Sequence, residues 1–178
     1  MRAALSYVKH GQVTQGGSTI TQQLVRNVFI SKEVTISRKI REMFYARELE
    51  KKYTKEQILE FYINNVYFSN GFYGIQAASF GYFNKPVEQL SLSQIAFLCA
   101  IPNGPTKFDP VDNIENTLER RNLILKNMLD DGIIMIEEYE ASVSEDITLN
   151  MKKKKKQDYV ETFVRYCAVR ALMESQGF

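Results

Sequence analysis

Two stretches, Gly16-Gly17-Ser18-Thr19-Ile20-Thr21-Gln22-Gln23-Leu24-Val25-Arg26-Asn27 and Thr35-Ile36-Ser37-Arg38-Lys39-Ile40-Arg41-Glu42, set the helical period that the rest of the chain follows. Ser18, placed after two glycines and before a polar-apolar run, is predicted to N-cap a helix that reaches about Asn27 and buries Ile20 and Leu24. From Thr35 onward, Ile36, Ile40, Met43, Phe44 and Tyr45 recur at three- and four-residue spacing with Arg and Glu between them, to about Lys52. That spacing predicts a second, amphipathic helix with one wet face.

The same punctuation continues downstream. Thr54-Lys55-Glu56-Gln57 is a capping box, and the residues behind it, Ile58, Leu59, Phe61, Tyr62, Ile63 and Val66, nearly encircle their helix, which predicts a position deep in the core. Asn70-Gly71 and Gly74 break the chain. A short Ala- and Gly-bearing helix from Ile75 to about Phe83 predicts close helix packing, and Pro86 closes it. Ser91-Leu92-Ser93-Gln94 opens another helix that must end at Pro102, and residues 102–110, with three prolines and a glycine, read as a structured loop. Asp112-Asn113-Ile114-Glu115 is expected to cap a long helix that stops at Gly132, followed by a short acidic helix over 136–143 and a final one over 159–174. No internal repeat is visible. The fold class is all-α.

Composition bounds the answer from outside. In 178 residues, 44% are apolar and 25% charged, a globular balance that excludes a disordered, collagenous or coiled-coil chain. Charge is segregated: residues 26–55 hold nine basic and four acidic side chains, a net of +5, whereas residues 109–146 hold three and eleven, a net of −8. One region can therefore attract anions. The run Lys152 to Lys156 reads as a solvated linker. Cys99 and Cys167 cannot build a disulfide framework and are expected to be small buried hydrophobes. No apolar run approaches the length of a membrane span, and no signal segment opens the chain.

Chemistry concentrates in residues 16–42. Free N–H groups and the hydroxyls of Ser18 and Thr19 at a helix start suit a phosphate or sugar oxygen, and Arg26 shares a face with Gln22 and Gln23. Arg38 and Glu42 are four apart on one face, with Lys39 beside them. By spacing alone that pair reads either as an exposed ion pair worth about 0.2–0.5 kcal/mol or as part of a cleft whose cations hold a pyrophosphate. His10 reads as an ordinary histidine, Glu60 and Asn64 as internal hydrogen-bond anchors, and Tyr67, Phe68, Phe72, Tyr73, Tyr82 and Phe83 as core. Residues 28–36, apolar with an interleaved lysine, read either as a packed connection or as a loop that dips into a bilayer interface.

Gly16 to Leu24, then Arg38-Lys39-Ile40-Arg41-Glu42, then Ile58-Leu59-Glu60-Phe61-Tyr62-Ile63-Asn64 through Gly71 to Gly74-Ile75, then Leu92-Ser93-Gln94-Ile95-Ala96 to Pro102 and Pro105, resemble four of the five motifs of the peptidoglycan glycosyltransferase domain found in class A penicillin-binding proteins and monofunctional transglycosylases. The resemblance runs in order over about residues 1–130. It implies a lysozyme-like, all-α glycosyltransferase domain, N-terminally truncated, over residues 1–146. Residues 147–178 would then be a lysine-rich linker and C-terminal helix leading toward a transpeptidase domain outside this chain.

By the same resemblance the substrates are lipid II and the growing glycan strand, joined through β-1,4 links with release of undecaprenyl pyrophosphate. Glu42 would be the second essential, catalytic carboxylate, steering substrate or a cation. Ser18, Thr19, Gln22, Gln23, Arg26 and Asn27 would line the donor side, and Arg38 and Lys39 would hold phosphate oxygens. No metal ligand set is implied, although a divalent ion (Mg or Mn) at the pyrophosphate is left open. The inhibitor moenomycin would enter the same cleft, and no nucleic-acid partner is expected. The family's location is the outer face of the bacterial cytoplasmic membrane, by an anchor outside this chain. Arg26 stands where the family often has Lys, and Ser69 and Asn84 where it usually has Gly. The family's first motif, which carries the proposed general base, would fall upstream of Met1, so the alternative expectation is a catalytically silent module that binds lipid II.

Overall fold

The computed structural model describes residues 18–29 and 35–151. The readings of His10, Cys167, the lysine run, the final helix and residues 30–34 lie outside these. The described residues are helical, with one isolated bridge between Tyr67 and Tyr73, as the punctuation predicts. They divide into two compact units, one ending at Tyr62 and the other beginning at Ile63.

The first unit holds α1 (Ile20–Phe29), α2 (Ile36–Lys52) and most of α3 (Lys55–Asn65). Thr35 is extended and its hydroxyl accepts the Arg38 N–H, which starts α2 where the sequence places it. The α3 capping box also forms: the Thr54 N–H donates to Gln57 Oε1 and the Gln57 N–H to Thr54 Oγ1. α1 packs along α2 and buries Thr21, Leu24, Val25 and Val28, an i, i+3, i+4, i+7 stripe. Ile20, expected inside, is 43% exposed, one position off that stripe. The Thr21 hydroxyl donates to Glu50 Oε1 at 2.7 Å, a polar tie between the two helices.

The wet face of α2 is the reverse of the one its pattern implies. Glu42, Ala46 and Leu49 are buried, while Ile36 is 83%, Ile40 63%, Met43 56% and Phe44 65% exposed. The period correctly groups these four but not Tyr45, which is only partly exposed; it does not tell which surface that face meets. α3 departs in the same way, since Ile58 is buried but Leu59 and Ile63 are exposed. Glu60 and Asn64 point outward, and the buried amide is Asn65.

The second unit contains α4 (Ile75–Phe83), α5 (Leu92–Ala100), α6 (Ile114–Asp130) and α7 (Ile136–Ser144), with 3-10 turns at Val87–Gln89 and Ile101–Asn103. The Ser91–Gln94 capping box is complete. Asn113 does not cap α6 with its side chain, because its amide donates instead to the Thr106 carbonyl. Ala96, Leu125 and Ile134 form the seam of α5, α6 and α7. Cys99 lies on the exposed side of α5, contrary to its expected burial. Arg121 is buried and donates to Ser93 Oγ and to the carbonyls of Val143 and Glu145, which fastens the end of α7.

Of the expected aromatic core, Phe68, Phe72, Tyr82 and Phe83 are buried, whereas Tyr73 is exposed. The close approach predicted for the Gly-bearing helix is made by a ring: a Cβ at Gly81 would stand 2.1 Å from Phe72. Ser69 and Asn84, where the family usually has Gly, both adopt left-handed backbone, at φ 63° and 54°. Ser69 is held there by Asp109, which accepts from Ser69 Oγ at 2.5 Å, from Asn70 Nδ2 and from the N–H groups of Val111 and Asp112. Burial pushes the Asp109 carboxyl up, but these donors outweigh it and hold the group below the usual carboxylate range.

Gly81→Ala is expected to lower the unfolding free energy by about 1–3 kcal/mol, since the buried Phe72 ring must shift to admit a methyl group. Urea denaturation checks this; unchanged stability would refute the close packing. A depressed folded-state pKa stabilises above the unfolded value and loses that stabilisation as pH falls through the folded value. Stability is therefore expected to drop below about pH 4 in the native chain, and Asp109→Asn should flatten that part of the profile while lowering stability at neutral pH.

Candidate functional site

The site is built on the first turn of α1 and the first two turns of α2, within the first unit. α1 is capped by Thr19 rather than by Ser18: the Gln22 N–H donates to Thr19 Oγ1 at 3.2 Å. Ser18 is thereby released for another task. Its hydroxyl oxygen accepts from Lys39 Nζ at 2.9 Å.

Lys39 is the centre of the arrangement. Besides Ser18, its ammonium donates to Gln22 Oε1 at 3.4 Å and to Glu42 Oε2 at 2.7 Å. Arg38 approaches the other carboxylate oxygen, Nε to Oε1, at 3.5 Å. Glu42 is 1% exposed, so the exposed surface ion pair that spacing alone allowed is not what forms. A buried carboxylate is clasped by two cations, one on each oxygen. The clasp is incomplete, because Arg38 Nε and Glu42 Oε1 are both buried without a hydrogen bond of acceptable geometry.

Gln23 extends the network. Its Oε1 accepts from the Tyr62 hydroxyl at 3.4 Å, and its Nε2 donates to the Ser18 carbonyl at 3.5 Å. Burial raises the Tyr62 phenol above its ordinary pKa, and the positive charge of Arg26 opposes that shift. Arg26 is thus close enough to Tyr62 for its field to act there, on the face it shares with Gln22 and Gln23. Asn27 is exposed on the following turn of α1. Of the nine residues singled out from the sequence, Ser18, Gln22, Gln23, Arg38, Lys39 and Glu42 form one connected set, and Thr19 builds the helix start beside it. The sequence pattern places Tyr62 in the core; nothing in its spacing separates it from Phe61, and only the approach of α3 to α1 reveals its hydroxyl.

Chemically the arrangement suits an anion. Two guanidinium or ammonium groups, a hydroxyl and a helix start converge, and Glu42 keeps the cations from dispersing. A protein-held divalent ion fits poorly, since the site's buried carboxylate already faces two cations. Among the described residues no three His, Cys, Asp or Glu side chains gather into a ligand set.

Comparisons with known proteins agree in one direction. The family described as Transglycosylase matches residues 1–129. The chain is 44% identical to penicillin-binding protein 4 of Bacillus subtilis over 180 residues, covering 100% of this chain and 29% of that protein. It is 42% identical to penicillin-binding protein 1A of Escherichia coli, covering 84% of this chain and 18% of that protein. Its fold resembles the crystal structure of penicillin-binding protein 1A from Haemophilus influenzae with a TM-score of 0.53 and 28% identity, over 85% of this chain and 19% of the other. The chain thus spans less than a third of the length of these relatives.

Glu42→Gln is expected to cost about 1–3 kcal/mol of stability, because it removes the buried member of the clasp and leaves two cations unpaired, one of them half in water. Glu48→Gln, which breaks the exposed pair with Lys51, should cost distinctly less, because water screens that pair. Equal costs in chemical denaturation would contradict the buried clasp.

Proposed function

The chain belongs to the transglycosylase family, and from that premise we propose that it polymerises lipid II into β-1,4 glycan strands with release of undecaprenyl pyrophosphate. The observation that carries this reading is the clasp of Arg38 and Lys39 on buried Glu42 beside the start of α1. Glycosyl transfer from a diphosphate carrier places negative charge on the departing group. Cations already held in place stabilise that charge without reorganising at the moment of reaction. Arg38 and Lys39 serve this role, with Arg26 one turn further along α1, and Arg26 in place of lysine offers a planar fork to two phosphate oxygens. Ser18, Thr19 and Gln23 line the donor side.

Glu42 acts here as a holder of cations, with Oε2 taken by Lys39. A divalent ion, where one assists, would draw its oxygens mainly from the diphosphate itself. Moenomycin, as a mimic of the substrate, would compete for the same cations.

The exposed face of α2 supports a position at the membrane surface. Ile36, Ile40, Met43 and Phe44 lie on one side of the helix, away from buried Glu42, Ala46 and Leu49. Such a face gains free energy at a bilayer interface, where the polyprenyl tail of the donor also lies. No helix among the described residues is long and apolar enough to cross a membrane. The working location is the outer face of the bacterial cytoplasmic membrane.

The test is incubation of the chain with labelled lipid II and separation of the products by length. Polymer is the expected result. Retention of lipid II without polymer would make the chain a capture module, and no retention at all would overturn the reading. Arg38→Ala should weaken donor binding about tenfold or more by removing a charge-assisted contact.

A further inference from the structure

We propose that Gln22 is a place-holder: its side-chain carbonyl occupies the seat on Lys39 that a diphosphate oxygen takes when the donor binds. The inference rests on the diphosphate reading above and deepens it, since it assigns different fates to three residues that all face one ammonium group.

An ammonium group has three N–H donors and no more. In Lys39 all three are spoken for, by Ser18 Oγ at 2.9 Å, Glu42 Oε2 at 2.7 Å and Gln22 Oε1 at 3.4 Å. A ligand oxygen can therefore bind Lys39 only by displacing one of them. The three are unequal. Glu42 is charged, short and buried, so its bond is the strongest. Ser18 is at ordinary hydrogen-bond length. Gln22 is a neutral amide beyond the usual N–H···O range, so it is the acceptor most easily exchanged.

A phosphate oxygen carries charge and outcompetes an amide carbonyl for the same donor. The exchange leaves Lys39 tied to Ser18 and Glu42, and so still in position. The lysine side chain is 42% exposed, which leaves a route for the incoming group. Gln22 lies in the first turn of α1, where backbone N–H groups also favour a negative charge. Gln22 then competes with the substrate and keeps the ammonium oriented while the site is empty.

This assignment predicts a sign opposite to that of a residue that grips the ligand. Gln22→Met keeps the length of the side chain and removes its acceptor. Titration calorimetry with inorganic pyrophosphate at low salt is expected to show binding about threefold to tenfold tighter than in the unsubstituted chain. Gln22→Glu, which plants a charged competitor on the same seat, is expected to weaken binding by at least as much. The gain from Gln22→Met should vanish in a Lys39→Met background, because the two changes act on one contact. Gln22→Leu serves as a second acceptor-free variant, and thermal unfolding of each variant verifies its fold.

Weaker or unchanged pyrophosphate binding by folded Gln22→Met and Gln22→Leu would overturn the place-holder role while leaving the diphosphate site intact. Absence of pyrophosphate binding by the unsubstituted chain would overturn both. Polymer formation from lipid II is scored separately, so failure of the enzymatic reading is distinct from failure of this one.

Discussion

Glu42 is a carboxylate almost wholly withdrawn from water, and the first unit is organised around that burial. A buried anion is costly unless cations and donors compensate it, and here the compensation comes from Lys39 and Arg38 on the same helix. Because Lys39 also reaches Ser18 and Gln22, the ion pair ties the start of α1 to α2. The Thr21–Glu50 bond adds a second polar tie between the two helices. Packing of Leu24, Val25, Val28, Ala46 and Leu49 supplies the apolar remainder.

The second unit meets a different constraint, backbone strain in short connections. Ser69, Asn70 and Asn84 hold left-handed backbone without being glycine. Asx side chains tolerate that region better than most, and Ser69 is kept there by its bond to Asp109. Asp109 thereby couples the loop before α4 to the proline-rich loop before α6. The Arg121 side chain does the same for the chain leaving α7, by satisfying two carbonyls that the helix end cannot.

Exposed apolar surface on α2 and the cation pair sit on one helix, and both suit an amphiphilic substrate. A helix period of 3.6 separates them by less than half a turn in projection, so a single element can meet lipid with one side and a charged headgroup with another.

The sequence by itself determined the class, the order of the helices and most of their starts, because capping and helix-breaking are local chemistry: Thr35, Thr54 with Gln57, and Ser91 with Gln94 act within one turn. It also grouped Arg38, Lys39 and Glu42, since residues three and four apart must share a face. Only the tertiary structure decided that Glu42 lies inside while Ile40 and Phe44 lie outside, that Thr19 rather than Ser18 caps α1, and that Tyr62 reaches Gln23. Periodicity states which side chains travel together around a helix. What that side then faces depends on partners distant in the chain, and no local pattern encodes them.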